Sequence, residues 1–140
     1  MTSINSRSKG RRGEQEVARE IEELLGFKPQ RNLSQVAVGG YDLIGIPNWA
    51  VEVKLYKKIT KTDREAFWNQ AVRQALKEDL QPAVWFRVDR QPWRVMIAEP
   101  WALANNIFEI HDHRVVAIVQ PELWAAMVRE NMDGTQFDNS

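Results

Sequence analysis

Residues 39–56, GGYDLIGIPNWAVEVKLY, constrain this chain more than any other stretch. Two short apolar segments, Asp42–Ile46 and Trp49–Tyr56, flank the turn signal Pro47-Asn48, which reads as a β-hairpin. The second segment alternates, so Trp49, Val51, Val53 and Leu55 share one face and Ala50, Glu52, Lys54 and Tyr56 the other. An acid and a lysine two apart on one face of a half-buried strand, with an acid on the partner strand, is costly unless the charges pair or hold a metal. Two convergent carboxylates suit Mg²⁺, and a lysine beside them can orient or activate water.

Strand register decides whether these groups meet, because opposed residues of an antiparallel pair share a face. A two-residue loop at Pro47-Asn48 would pair Ile46 with Trp49 and set Asp42 opposite Val53, on the wrong side from Glu52 and Lys54. A three-residue connection or a bulge would bring Asp42 to the face of Glu52 and Lys54. The expectation is therefore an odd-length connection or a bulge.

Upstream, residues 13–25 read as an amphipathic helix with the stripe Val17, Ile21, Leu24 and with Gly26 as its stop. Glu14 falls on that stripe, whereas Glu16, Glu22 and Glu23 are expected to point away and Glu20 to lie at its edge. Glu14 is thus a candidate third carboxylate, although a first-turn glutamate favoured by the helix dipole fits the same position.

In this order the residues resemble the PD-(D/E)xK nuclease superfamily, and within it the archaeal-type Holliday-junction resolvases, which also occur in phages. The resemblance runs from about Arg7 to Ile97. Lys9-Gly10 followed by Glu14 matches the family's K-G-x-x-x-E, Gly39-Gly40-Tyr41-Asp42 its G-G-P-D, and Glu52-Val53-Lys54 its E-V-K. Gln70 falls where the family often carries a glutamine, Ser34 is the candidate for its loop serine, and Pro82–Ile97 resembles its two closing strands. Tyr41 departs from the motif proline, and residues 99–140 have no counterpart in the resemblance.

The resemblance implies an α/β restriction-endonuclease-like core with a mixed central sheet flanked by helices and a C-terminal strand–helix extension. The core would be residues 1–98, and residues 99–140 the extension with a polar tail. It implies a Mg²⁺-dependent endonuclease, with Mn²⁺ as substitute, acting on branched DNA such as a four-way junction as a homodimer. Glu14, Asp42, Glu52 and the Val53 carbonyl would bind metal. Lys54 would position or deprotonate water, and Gln70 and Ser34 would orient water or phosphate. A nickase, exonuclease or restriction-type nuclease on the same core remains open, as does an inactive DNA-binding protein.

Bulk properties are compatible with this. The chain has 140 residues, 44% hydrophobic and 27% charged, a globular composition of one-domain size. It has no cysteine, so disulfides and thiol chemistry are excluded, and a reducing compartment fits. No apolar run approaches membrane-spanning length and the basic N-terminus has no apolar core, so a cytoplasmic setting is expected, for a phage-encoded protein that of the host.

Net charge is zero but unevenly placed: residues 1–64 hold 12 Lys and Arg against 8 Asp and Glu, residues 65–140 hold 7 against 11. The bases cluster as Arg7, Lys9, Arg11, Arg12 and as Lys54, Lys57, Lys58, Lys61, Arg64. Such clusters beside the candidate site suit a surface that tracks phosphates, or else a solvated basic face.

The remaining elements are a mobile segment 1–8, a strand 28–32, and a helix from a Thr62–Glu65 capping box to about Lys77, with Phe67, Ala71 and Ala75 inward. Strands at 82–88, 93–98 and 114–119, a short helix or turn at 99–106, and a last helix at 122–131 follow. His111-Asp112-His113 reads as a polar turn better than as a metal site. Trp49, Trp85 and Trp124 suit core or dimer packing, while Trp68 and Trp93 leave base stacking open.

Overall fold

The computed structural model describes residues 2–33, 40–99 and 116–138, with side chains for 9–33, 40–99 and 116–132. Ser34, Gly39, the 100–106 part of the expected turn, His111-Asp112-His113 and the Arg7 side chain therefore lie outside the described residues. Helix α1 (Thr2–Leu25) leads into β1 (Gln30–Arg31), β2 (Leu43–Ile44) and β3 (Trp49–Tyr56). Helix α2 (Lys61–Lys77) connects to β4 (Gln81–Val88) and β5 (Arg94–Ala98), followed by β6 (Val116–Val119) and α3 (Pro121–Asp138).

The six strands form one mixed sheet in sequence order. All neighbours are antiparallel except β3 and β4, which run parallel over their full length, Trp49 beside Gln81 to Tyr56 beside Val88. A parallel pair needs a crossover, and α2 supplies it. The two central strands are covered on both faces, which is why Pro82–Phe86 is buried throughout rather than alternating.

The pleat divides the interior into two cores. Trp49, Val51, Val53 and Leu55 of β3 join Ala83, Trp85, Val95 and Ile97 beneath Val17 and Ile21 of α1 and Trp124, Ala125 and Val128 of α3. Val84, Phe86, Met96 and Ala98 face Trp68, Ala71 and Val72 of α2 on the other side. Trp124 meets Trp49 and Trp85 edge-on, with ring centroids 5.8 and 5.4 Å apart. Trp68 and Trp93 are also buried, so none of these five indoles is open for base stacking.

Several boundaries differ from the sequence reading. The expected mobile start is helical, so α1 extends from Thr2, and α3 runs on to Asp138 through much of the expected tail. The capping box of α2 opens at Thr60 instead of Thr62: the Thr60 side chain accepts from the Asp63 amide and Asp63 accepts from the Thr60 amide. Asp63 supplies the acid of the box, so the threonine three residues before it is the one that closes the ring.

Two local features position the site. Gly13 lets α1 press onto β3, since a Cβ there would lie 3.1 Å from the Leu55 Cβ and 3.4 Å from the Val53 Cγ1. That close approach brings the next residue, Glu14, to the sheet. Between β2 and β3, Leu43 pairs with Val51, which leaves Ile46-Pro47-Asn48 as a three-residue connection. Gly45 (φ 101°) and Asn48 (φ 72°) provide the left-handed backbone that the turn requires.

Candidate active site

The register settles which face Asp42 takes. Leu43 and Val51 share the α1-side core, so one residue along, Asp42 falls with Glu52 on the opposite face. The odd-length connection expected from the sequence is present. Asp42 is clamped by its backbone, with its amide donating to the Val51 carbonyl at 2.9 Å and its carbonyl accepting from the Asn32 amide at 2.8 Å. Its carboxylate accepts from the Val53 amide at 2.7 Å.

Asp42 and Glu52 are the buried polar residues among those described, 8% and 2% exposed. The Glu52 carboxyl feels the charge of Asp42, and its Oε1 has no hydrogen-bond partner. The Lys54 ammonium lies 3.9 Å from Glu52 Oε2. Burial first, and then the Asp42 charge, push the Glu52 pKa up to about 9, with Lys54 pulling it back only in part. Without a cation, the pair holds a proton that two adjacent carboxyls would not otherwise need.

Lys54 is held from α2. Its Nζ donates to Gln70 Oε1 at 3.2 Å and sits 5.2 Å from the centre of the Phe67 ring. Phe67 and Gln70 are three apart and therefore share a helix face. Phe67 in turn stacks on Tyr56, centroids 5.5 Å apart. Gln70 is thus brought to the site through its contact with Lys54.

Glu14 stands apart from this group. It accepts from Arg31 Nε at 2.8 Å. Burial raises its pKa, with the Arg31 hydrogen bond opposing and the charge of Asp42 adding to the rise. Among the described residues, no three carboxylate, histidine or cysteine side chains are gathered closely enough to hold a metal ion. Asp42 and Glu52 do converge, and their acidic oxygens, one of them orphaned, suit a hard divalent cation.

Glu14 is also not the one inward glutamate of α1. Glu16 accepts from Arg87 at 3.0 Å and from the Trp93 indole at 3.4 Å, and Glu20 has a buried carboxylate oxygen. The buried face of the helix includes Gly13 and Ala18 as well as the apolar stripe, so it has two margins. Glu14 lies within that face, its side chain 13% exposed, and Glu16 and Glu20 line one margin of it.

The expected DNA-facing bases divide. Arg11, Arg12, Lys57, Lys58 and Lys61 are exposed. Lys9 is taken up by Asp89 at 2.8 Å, and Arg12 lies 3.5 Å from Glu16. Arg31 was not singled out from the sequence, and Phe67 was read only as packing inward, not as a partner of Lys54. Both act across long separations, and no local pattern marks them. No helix among the described residues is long and apolar enough to cross a membrane.

Known proteins are similar to this chain in sequence and in fold. Residues 5–122 match the family described as "Phage putative PDDEXK endonuclease". Protein D14 of Escherichia phage T5 is 26% identical over 125 residues, spanning 75% of this chain and 78% of that protein. The structure of Hjc, a Holliday junction resolvase from the archaeal hyperthermophile Archaeoglobus fulgidus, superposes with a TM-score of 0.53 at 19% identity. That superposition covers 84% of this chain and 98% of the archaeal one, so the restriction-endonuclease-like fold is shared. With the family match covering most of its length, the chain belongs to the phage PDDEXK endonuclease family.

Proposed function

We propose that the protein is a divalent-metal-dependent endonuclease that cuts four-way DNA junctions as a homodimer. The observation that carries this reading is the convergence of Asp42 and Glu52 on one sheet face with Lys54 beside them. Asp42, Glu52 and the Val53 carbonyl would hold Mg²⁺, or Mn²⁺ in its place. Such an ion would polarise the phosphoryl group and lower the pKa of a bound water.

The chain's own groups then have distinct tasks. Asp42 is immobilised by three backbone hydrogen bonds, so its carboxylate needs little reorganisation. Lys54, fixed by Gln70 and Phe67, is placed to orient the attacking water or to neutralise charge growing on the phosphate oxygens. Glu14 joins the carboxylate set when Arg31 releases it. Ser34 is retained as the candidate for a loop contact to phosphate, and Arg7, Lys9, Arg11, Arg12, Lys57, Lys58 and Lys61 as candidate backbone contacts. Fold likeness to a Holliday junction resolvase supports the junction as substrate, and paired symmetric nicks require two sites, hence a dimer.

The test is cleavage of four-way junction, flap, linear duplex and single-stranded DNA with Mg²⁺, with chelator and Glu52→Ala as controls. Preferential cutting of the junction, abolished by both controls, is expected. Preference for linear or flap DNA would assign the chain to another nuclease activity of the same core. Full activity of Glu52→Ala would remove the site assignment.

A further inference from the structure

Between α1 and β1 lies a groove of about 680 Å³, lined by Gln15, Ala18, Arg19, Lys28, Pro29, Gln30, Arg31 and Leu33. Its charged lining is three cations and no acid. Arg19 and Lys28 are exposed, and among the described residues neither has a carboxylate within ion-pair distance. Residues 26–33 contain no Asp or Glu, so the described segment around β1 that borders the groove adds no opposing charge. Glu22 and Glu23, further along α1, lie outside its lining. Arg11, Gln15 and Arg19 recur every fourth residue on one face of α1, which carries positive charge from the groove toward the helix start.

The groove is coupled to the site through one residue. Arg31 lines it and also donates to Glu14, whose carboxylate feels the charge of Asp42. The floor of Ala18 and Pro29 is apolar, and Leu33, 73% exposed, forms part of the wall. A cationic rim with amide donors over an apolar floor suits a sugar–phosphate backbone: guanidinium and ammonium groups take the phosphates, glutamine amides the remaining oxygens, and the apolar surface the sugar faces.

We infer that this groove between α1 and β1 binds a DNA backbone segment, as a second track distinct from the Lys57, Lys58, Lys61 and Arg64 cluster that follows β3. The inference rests on the nuclease reading above. The two tracks lie on either side of the carboxylate pair in sequence and take separate stretches of phosphate, an arrangement suited to a substrate whose strands diverge. Arg31 is the residue through which a phosphate in the groove would compete with Glu14.

The test is DNA binding in chelator, measured by fluorescence anisotropy on four-way junction and linear duplex across a salt series. It compares the parent, Arg19→Gln/Lys28→Gln and Lys57→Gln/Lys58→Gln, with Arg31 left intact and the fold checked by thermal melting. Each lost phosphate contact lowers the logarithmic salt slope by about 0.9 on duplex DNA, so the groove variant is expected to lose roughly 1.8 and to bind tenfold or more weakly. A groove variant with the parent's slope and affinity, while Lys57→Gln/Lys58→Gln loses both, overturns the groove and leaves the nuclease reading standing. A parent that shows no salt-dependent binding to either DNA overturns both.

Discussion

Arg31 reaches across from β1 to place its Nε 2.8 Å from the Glu14 carboxylate, and so neutralises an acid that the resemblance assigns to metal. A metal ion and Arg31 cannot both be the main partner of that carboxylate. Arg31→Met should therefore release Glu14 and tighten Mn²⁺ binding, read by calorimetric titration without DNA. A gain of about 1 kcal/mol is expected, at the low end for a partly exposed charge-assisted hydrogen bond. Weaker Mn²⁺ binding would show that the pair braces the site and that Glu14 is no ligand.

Lys54 is held by one hydrogen bond and one aromatic face, both from α2. Gln70→Ala removes the hydrogen bond while leaving the charge. Losing one charge-assisted bond is worth about 1.5 kcal/mol, so single-turnover cleavage should slow roughly tenfold. DNA affinity measured with Ca²⁺ should stay near the parent's, because the contact orients a group and does not itself reach the substrate. Unchanged cleavage by Gln70→Ala would remove Gln70 from the site.

Gly13 sets how closely α1 approaches β3. Alanine gains about 1 kcal/mol of helix propensity over glycine. Its Cβ would meet Leu55 at 3.1 Å, tighter than ordinary packing, so the two effects should roughly cancel in Gly13→Ala. Gly13→Val overfills the contact and should cost about 1–3 kcal/mol in urea unfolding. It should also slow cleavage by displacing the neighbouring Glu14. A fully stable Gly13→Val protein would show that α1 does not need this contact.

Much of the site could be read locally. Alternation along Trp49–Tyr56 puts Glu52 and Lys54 on one face through strand geometry alone, and the pleat then forces Asp42 to the same face only if the connection is odd. The resemblance implied a mixed sheet, but that β3 and β4 are its parallel pair, joined through α2, was not read from the sequence. What escaped was non-local. Arg31 meets Glu14 across 17 residues and Arg87 meets Glu16 across 71, and no spacing rule links them. The cap of α2 was misplaced because Thr60 and Thr62 both precede an acid by three residues, Asp63 and Glu65, so pattern alone does not choose between them.

The buried carboxyl pair makes stability depend on pH in an unusual direction. Glu52 has a pKa of about 9 in the folded, metal-free protein and an ordinary glutamate value of 4.5 when unfolded. Between those values the folded chain keeps a proton that the unfolded chain releases. Stability of the metal-free protein should therefore fall as pH rises through this window and level off above it, because the unfolded state binds fewer protons. Most paired carboxylates act the other way, losing stability as pH falls. Urea midpoints in chelator across the window should show the decline. Glu52→Gln, which needs no proton to stay neutral, should flatten it and exceed the parent's stability at the alkaline end. Added Mg²⁺ should also restore alkaline stability to the parent but not to Glu52→Gln, since the cation takes the place of the proton between Asp42 and Glu52. A parent whose stability rises with pH over this range in chelator would show that Glu52 is ionised in the fold and that the orphaned oxygen finds another partner.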